Sequence, residues 1–306
     1  MSSLAPIVLF TYNRPDHTRR TVEALAKNEL AAESDLIIFS DGPKDDAGAV
    51  KVKAVRDYLH TVSGFKSVTI NEKERNCGLA NSVIAGVTEV VNKYGAVIVL
   101  EDDMVTSPYF LRYMNDALEM YKDEEQVISI HGYMYPVKDQ LPETFFLPGA
   151  DCWGWATWKR GWDLFEPDGQ KLLAGLQMEK LTEAFDFEDT FPFTRMLNDQ
   201  NNGKIDSWAI KWRASAFLKN KLTLYPGTSL LYNTGADSSG THCSSQPAFD
   251  TELSLNPVKL KKQNIESSEE AFVAFKKYLR SIRIPMYKKI LFKLNFIVGR
   301  LLAKNK

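Results

Sequence analysis

The stretch Ala96-Val-Ile-Val-Leu-Glu-Asp-Asp103 joins five apolar residues to three consecutive carboxylates. Ala96–Leu100 reads as a fully apolar strand, of the kind found in the middle of a parallel sheet with both faces covered. Gly95 stands where a helix C-terminus favours glycine. The helix it ends is read over 79–94, with Leu79, Val83, Ile84, Val87, Val91 and Tyr94 on one stripe.

Outward from this stretch the alternation repeats. Pro6–Tyr12 reads as a buried strand and Asp16–Asn28 as a helix. Asp35–Ser40 reads as a second strand, ending in the turn Asp41-Gly42-Pro43. A helix over Asp46–Val62 and a short strand around Val68–Ile70 follow. Strands alternating with helices predict right-handed βαβ units and an α/β, Rossmann-like, doubly wound, mainly parallel sheet. The second half reads differently. Four of the six tryptophans fall within residues 151–165, helical segments and loops follow, and residues 233–246 are rich in turn formers.

Composition narrows the function. The 306 residues are enough to bury a sizeable core, and 44% hydrophobic with 25% charged residues excludes a disordered or collagenous chain. The net charge of −1 hides an asymmetry: residues 271–306 hold ten Lys or Arg and no Asp or Glu, leaving 28 basic against 39 acidic side chains before them. A main body this acidic excludes a nucleic-acid binder with a basic face. Cys77, Cys152 and Cys243 are odd in number and far apart, which points away from a disulfide framework and toward a reducing, cytoplasmic setting. The N-terminal MSSLAPIVLF lacks the basic start of a secretory signal, and no apolar run reaches the roughly 18 residues of a membrane span.

Ligands of such sheets gather beyond the carboxyl ends of the strands. The residues to examine there are Thr11, Asn13 and Arg14, then Asp41, then Glu101, Asp102 and Asp103. Three adjacent carboxylates repel one another, and their desolvation is expensive without a cation. Strand alternation would put Glu101 and Asp103 on one side and Asp102 on the other. Such dense hard oxygen suits Mg²⁺ or Mn²⁺ held against a diphosphate; the plainer reading is a solvated acidic turn before the helix near Pro108. Asp41 fits a ribose or base contact, or a simple Asp-Gly turn. Arg75, Asn76 and Gly78 precede a helix whose N-terminus would welcome an anion, or they form an ordinary cap. Asp206 could serve as a general base beside Trp208 as a stacking platform, or could cap a helix. His242, on a Gly- and Ser-rich loop, could complete a metal shell or touch a phosphate. Trp153 and Trp155 could line a sugar subsite or belong to a core between lobes. No GxGxxG and no Walker A motif is present, which removes the common dinucleotide and NTPase readings.

In order, PIVLFTYNRP, FSDG, NCGLA, VLEDDM, GWATW, DSWAIKW and SGTHC resemble inverting glycosyltransferases of the GT-A fold. The set is most similar to bacterial relatives of the N-acetylglucosaminyltransferase I type, and it covers roughly residues 5 to 245. The resemblance implies that Glu101-Asp102-Asp103 is a variant DxD motif. Asp103 would be on Mn²⁺ or Mg²⁺, and Glu101 and Asp102 near sugar or ribose. It further implies a nucleoside contact at Asp41, a catalytic base at Asp206, a donor-sugar contact at GWATW, and a loop with His242 over the diphosphate. Ile205 and Ser207 depart from the family's pattern around that base. The implied organisation is a GT-A domain over 1–250, with 1–132 as the nucleotide-sugar half and 133–250 as an acceptor-side lobe, and a helical basic tail over 251–306. The implied activity moves a sugar from a nucleotide-sugar donor, UDP-linked by resemblance, to a glycan or lipid-linked glycan.

Two rival functions share parts of this pattern. A sugar-phosphate nucleotidyltransferase would show a Gly-rich loop after the first strand, where TYNRPDH has no glycine. A non-catalytic carbohydrate-binding protein would explain the tryptophans but has no need of the acid triplet.

In the tail, Ile290, Leu291, Leu294, Ile297, Val298, Leu301 and Leu302 form a helical stripe flanked by Lys288, Lys289, Lys293, Arg300 and Lys304. This C-terminal amphipathic basic helix is expected either to lie on an anionic membrane surface, peripheral on its inner face, or to pack on protein. Deleting residues after Arg283 is expected to release the protein from anionic vesicles in a sedimentation assay; unchanged sedimentation would refute the membrane reading.

Overall fold

The computed structural model describes residues 4–235 and 247–282. Its first half alternates as the periodicity predicts. The elements are β1 (Ile7–Thr11), α1 (Pro15–Leu25), β2 (Asp35–Ser40), α2 (Asp46–Leu59), β3 (Ser67–Glu72), α3 (Leu79–Tyr94) and β4 (Ala96–Glu101). Next come β5 (Met104–Thr106), α4 (Phe110–Met120), β6 (Val127–His131), β7 (Thr144–Pro148), β8 (Trp155–Trp158), α5 (Lys159–Trp162), α6 (Gly169–Met178) and α7 (Thr182–Phe185). They are followed by α8 (Phe193–Asn201), α9 (Trp208–Leu218), β9 (Leu222–Pro226), β10 (Leu231–Asn233) and α10 (Glu269–Ile282).

One sheet of order β3-β2-β1-β4-β8-β6-β9-β7 carries the fold. β8 is inserted antiparallel between β4 and β6, and β7 closes one edge antiparallel to β9. The other strands run one way, so the sheet is mainly parallel. The second-half strands β6, β7, β8 and β9 thus extend the first-half sheet, a continuation that the sequence pattern did not reveal. Their apolar runs are too short to distinguish a strand from a buried helix turn.

Strand alternation sorts the core into two layers. Ile7, Leu9, Ile98 and Leu100 pack with Val22 and Leu25 of α1, Val55 and Leu59 of α2, and Leu111 of α4. Val8, Phe10, Val97 and Val99 pack with Val83, Val87 and Val91 of α3 and with Trp208 and Trp212 of α9. Covering both faces is what makes β1 and β4 apolar throughout. Gly95 ends α3 in the left-handed region at φ 82°, its N–H donating to the Val91 carbonyl. Leu79 and Tyr94, at the two ends of the expected stripe, are exposed.

A third core lies between β7 and helices α6 to α10. At its centre the buried Arg213 guanidinium rests 4.1 Å from the Phe193 ring and 3.5 Å from the Asp151 carboxylate. The chain after residue 250 is part of this body. Val258, Leu260 and Ile265 pack on the sheet, Ser268 N–H donates to the Phe146 carbonyl, and Ala271, Phe275 and Leu279 of α10 are buried. Of the stretch expected to be a helical tail, only Glu269–Ile282 is an α-helix among the described residues. The amphipathic stripe beginning at Ile290 lies outside them.

His131 ends β6 at 2% exposure, its Nδ1 without a partner. Burial pushes its pKa down to about 4, with Asp151 opposing and Arg213 adding to the shift. Unfolded, the imidazole takes up its proton near 6.5, so between about 6.5 and 4 the unfolded chain binds more protons. Stability should therefore fall by up to roughly 3 kcal/mol as pH drops through that window. Urea midpoints measured from pH 7.5 to 4 check this, and His131→Asn should flatten the slope.

Candidate active site

A cavity of about 600 Å³ opens at the carboxyl ends of β1, β2 and β4. Its wall includes Thr11, Asn13 and Arg14 after β1, Asp41 and Lys44 after β2, and Asn76, Gly78 and Ser82 at the start of α3. Glu101, Asp102 and Asp103 line it after β4, Cys152 and Trp153 before β8, and Asp206 and Trp208 at α9; Asn233, Phe249 and Asp250 add to the rim. Residues spread over most of the chain converge here because successive parallel strands deliver their exits to one edge.

The acid triplet does not continue the strand alternation. The chain turns at Asp102-Asp103 and continues as β5, which leaves the main sheet and pairs antiparallel with β10. The turn lets one cation serve both aspartates: Arg14 Nη2 donates to Asp102 Oδ1 and, at 2.9 Å, to Asp103 Oδ2. Thr21 Oγ1 donates to the Asp102 carbonyl at 2.8 Å, and Thr234 N–H to the Asp103 carbonyl at 2.8 Å. Gly235 lies so close that a Cβ there would stand 2.1 Å from Asp103 Oδ2, so a larger residue would have to push that carboxylate aside.

The electrostatics follow from this crowding. Burial, then the charges of Asp103 and Asp102, push the Glu101 carboxyl up to about 8, against the pull of Arg14 and of a hydrogen bond with the Trp208 side chain. The Glu101 carboxyl thus holds its proton well above the usual carboxylate range. Burial also raises Asp102, with Arg14 opposing. Asp103 Oδ1 is buried and has no partner, as are Thr11 Oγ1 and Ser82 Oγ.

These atoms suit a divalent cation. Asp103 offers a free anionic oxygen, and Mg²⁺ or Mn²⁺ is commonly held by one or two carboxylates, completing its shell with water and substrate phosphate. Among the described residues no three His, Cys, Asp or Glu side chains form a ready ligand set, so such an ion would depend on its substrate. His242 lies outside the described residues.

Asp41 is engaged within the protein. Its carboxylate accepts from the N–H groups of Gly42, Cys77 and Gly78 and from Asn76 Nδ2, all within 2.8–3.0 Å. It thus fastens the 76–78 loop to the end of β2. Gly42 lets the loops touch, since a Cβ there would meet the Arg75 backbone at 2.4 Å. Arg75 itself is exposed and outside the cavity wall.

On the opposite wall Ser207, not Asp206, caps α9, its hydroxyl accepting from Ile210 N–H. The exposed Asp206 carboxylate has no partner among the described residues and stands 3.9 Å from where a Gly78 Cβ would be.

The tryptophans divide. Trp153 lines the cavity, edge-on to Tyr133 at 4.8 Å and Phe249 at 5.7 Å. Trp155 is fully buried among Trp162, Trp208 and Trp212 at 5.6–5.7 Å, so the expectation that it lines the pocket is corrected. Trp208 is 3% exposed, and its ring packs on Trp155; it supports Glu101 rather than offering a stacking face. Lys44, Ser82, Cys152, Asn233, Phe249 and Asp250 escaped the sequence reading. Lys44 could have been found by its place three residues after Asp41; the last three bear no local signal.

A family model described as the GNT-I family matches residues 1–169, more than half of the chain. The chain belongs to the GNT-I family. Among solved structures this family member is similar to TarS of S. aureus, with a TM-score of 0.41 and 14% identity over 76% of this chain and 36% of that one. It is also similar to the mannosyltransferase PcManGT from Pyrobaculum calidifontis, a complex with GDP-Man and Mn²⁺. There the TM-score is 0.32 with 14% identity over 46% of this chain and 39% of that one. The chain thus spans less than half the length of either. A search of curated proteins returns no match.

Replacing Asp41 by Ala removes a buried acceptor from four donors, a loss of about 2–3 kcal/mol. Hydrogen exchange over residues 76–82 should accelerate while β4 stays protected.

Proposed function

We propose that this protein transfers a sugar with inversion from a nucleoside-diphosphate donor, a UDP-sugar by resemblance, to a hydroxyl of a glycan or lipid-linked glycan. The reading rests on one juxtaposition: a buried aspartate with a free oxygen, Asp103, and an unpartnered carboxylate, Asp206, face the same cavity. In this reading Asp206 takes the acceptor hydroxyl proton as that oxygen bonds to the anomeric carbon. The bond from that carbon to the diphosphate breaks, and the nucleoside diphosphate departs with the electron pair. Arg14 and Lys44 are the basic side chains of the wall available to the phosphates. Glu101, whose carboxyl is pushed up to about 8 by burial and the neighbouring aspartates, can donate a hydrogen bond to a sugar hydroxyl while it holds its proton and accept one in either form. Trp153 offers an apolar face to the sugar and helps exclude the water that would hydrolyse the donor. A divalent cation at Asp103, when bound, would neutralise charge on the leaving diphosphate.

Neither rival explains the same set. A nucleotidyltransferase has no use for an unpartnered carboxylate across from the phosphates, and a carbohydrate-binding module has no use for buried paired aspartates. No helix among the described residues is long and apolar enough to cross a membrane.

Calorimetry with UDP- and GDP-sugars, with and without Mn²⁺, tests the reading directly. Binding is expected with Mn²⁺ and lost on Asp103→Ala; a chain that binds no nucleotide sugar under any condition has another function. Asp206→Asn should keep donor binding while transfer falls by a factor on the order of 10²–10⁴.

A further inference from the structure

The Asp102–Asp103 pair already has a cation, supplied by the chain. Both carboxylates are at least nine-tenths buried, and both bond to one nitrogen of Arg14. Burial works against the guanidinium charge, but the two aspartates more than restore it and hold the proton above its ordinary strength. Two carboxylates nevertheless share one guanidinium, and Asp103 Oδ1 has no partner. Lys44, the other basic residue of the wall, bonds neither carboxylate.

The arrangement also leaves Arg14 free to act elsewhere. Its side chain is 17% exposed at the cavity surface, and its Nε and Nη1 make no bond among the described residues. Arg14 precedes Pro15 at the first turn of α1, which fixes the backbone there while the long side chain can still turn. A small divalent cation on Asp103 would raise the local positive charge beside the guanidinium and weaken its hold on the pair.

We propose that Arg14 is a built-in counter-cation: it holds Asp102 and Asp103 together, competes with a divalent cation for Asp103, and turns to the donor diphosphate when a metal arrives with its nucleotide. This rests on the donor reading above, and it adds a specific consequence. Metal alone should bind weakly because it must displace an internal cation, whereas metal with nucleotide should bind well because the displaced guanidinium gains a diphosphate.

The test titrates the full chain with Mn²⁺ alone, then with Mn²⁺ in the presence of UDP or GDP, by calorimetry and by paramagnetic resonance of free Mn²⁺. Arg14→Gln should bind Mn²⁺ alone roughly tenfold or more tightly than the wild type. It should also melt earlier in EDTA with recovery on adding Mn²⁺, and lose affinity for the nucleoside diphosphate at saturating Mn²⁺. Arg14→Lys keeps the charge, and hence the fold, on a more strongly hydrated ammonium, so it should tighten Mn²⁺ binding by a smaller factor. Equal Mn²⁺ affinity in the wild type and both variants, with nucleotide binding intact, overturns the counter-cation role and leaves the donor reading standing. A wild type that binds Mn²⁺ neither alone nor with either nucleotide overturns both.

Discussion

Two aspartates buried side by side at the end of a central strand set the terms for this molecule. Unit charges about 4 Å apart interact by roughly 4 kcal/mol at the effective dielectric of a protein near its surface, so the pair would separate or take up protons without help. Help comes from Arg14 after β1, which bonds both carboxylates, while the Thr21 hydroxyl on α1 and the Thr234 N–H after β10 hold the turn itself through the Asp102 and Asp103 carbonyls. Segments more than 200 residues apart in the chain are thereby fixed against the turn after β4, one by an ion pair and the other by a main-chain hydrogen bond. The pair's demand is only partly met, and the unmet part, a free Asp103 oxygen, is what a ligand can use.

The walls around that charge are stiff for different reasons. On the β2 side, the Asp41 carboxylate gathers four donors, and the Arg56 guanidinium donates to the carbonyls of Ser40, Asp41 and Lys73. On the other side, four tryptophans from β8, α5 and α9 pack into one cluster, and the side chain of one of them bonds Glu101. Aromatic packing thus reaches the cavity indirectly, through a bond that weakly opposes the upward push of burial and the aspartates on Glu101. The loop carrying Cys152 and Trp153 is steadied from behind, where Asp151 accepts from the Tyr225 hydroxyl at 2.7 Å and pairs with the caged Arg213.

Much of the first half was legible because its elements have strong periods and marked ends: the α3 stripe, Gly95, and the apolar run ending in Glu101. The strand-end rule then singled out Arg14, Asp41 and the triplet without any knowledge of packing. The rule could not say that Asp41 would be consumed by the 76–78 loop, because its partners are 35 to 37 residues away. It also missed the turn between Glu101 and Met104, which replaced the expected alternation with a shared cation. The tryptophan segment was ambiguous, since aromatic residues suit a core and a sugar subsite equally well. Burial decided between them, and differently for Trp153 and Trp155.

The amino-acid order by itself determined the βαβ half, the location of the acidic mouth and the family, since these depend on local period and on residues close in the chain. Only the tertiary structure decided how the second half completes the sheet, with β8 entering against the grain between β4 and β6. It alone brought Asp206, Asn233 and Asp250 to the rim beside Asp103. The physical reason is the same in each case: antiparallel insertion and loop convergence are settled by burying apolar faces and neutralising charge across long separations, and no short window of sequence carries that information.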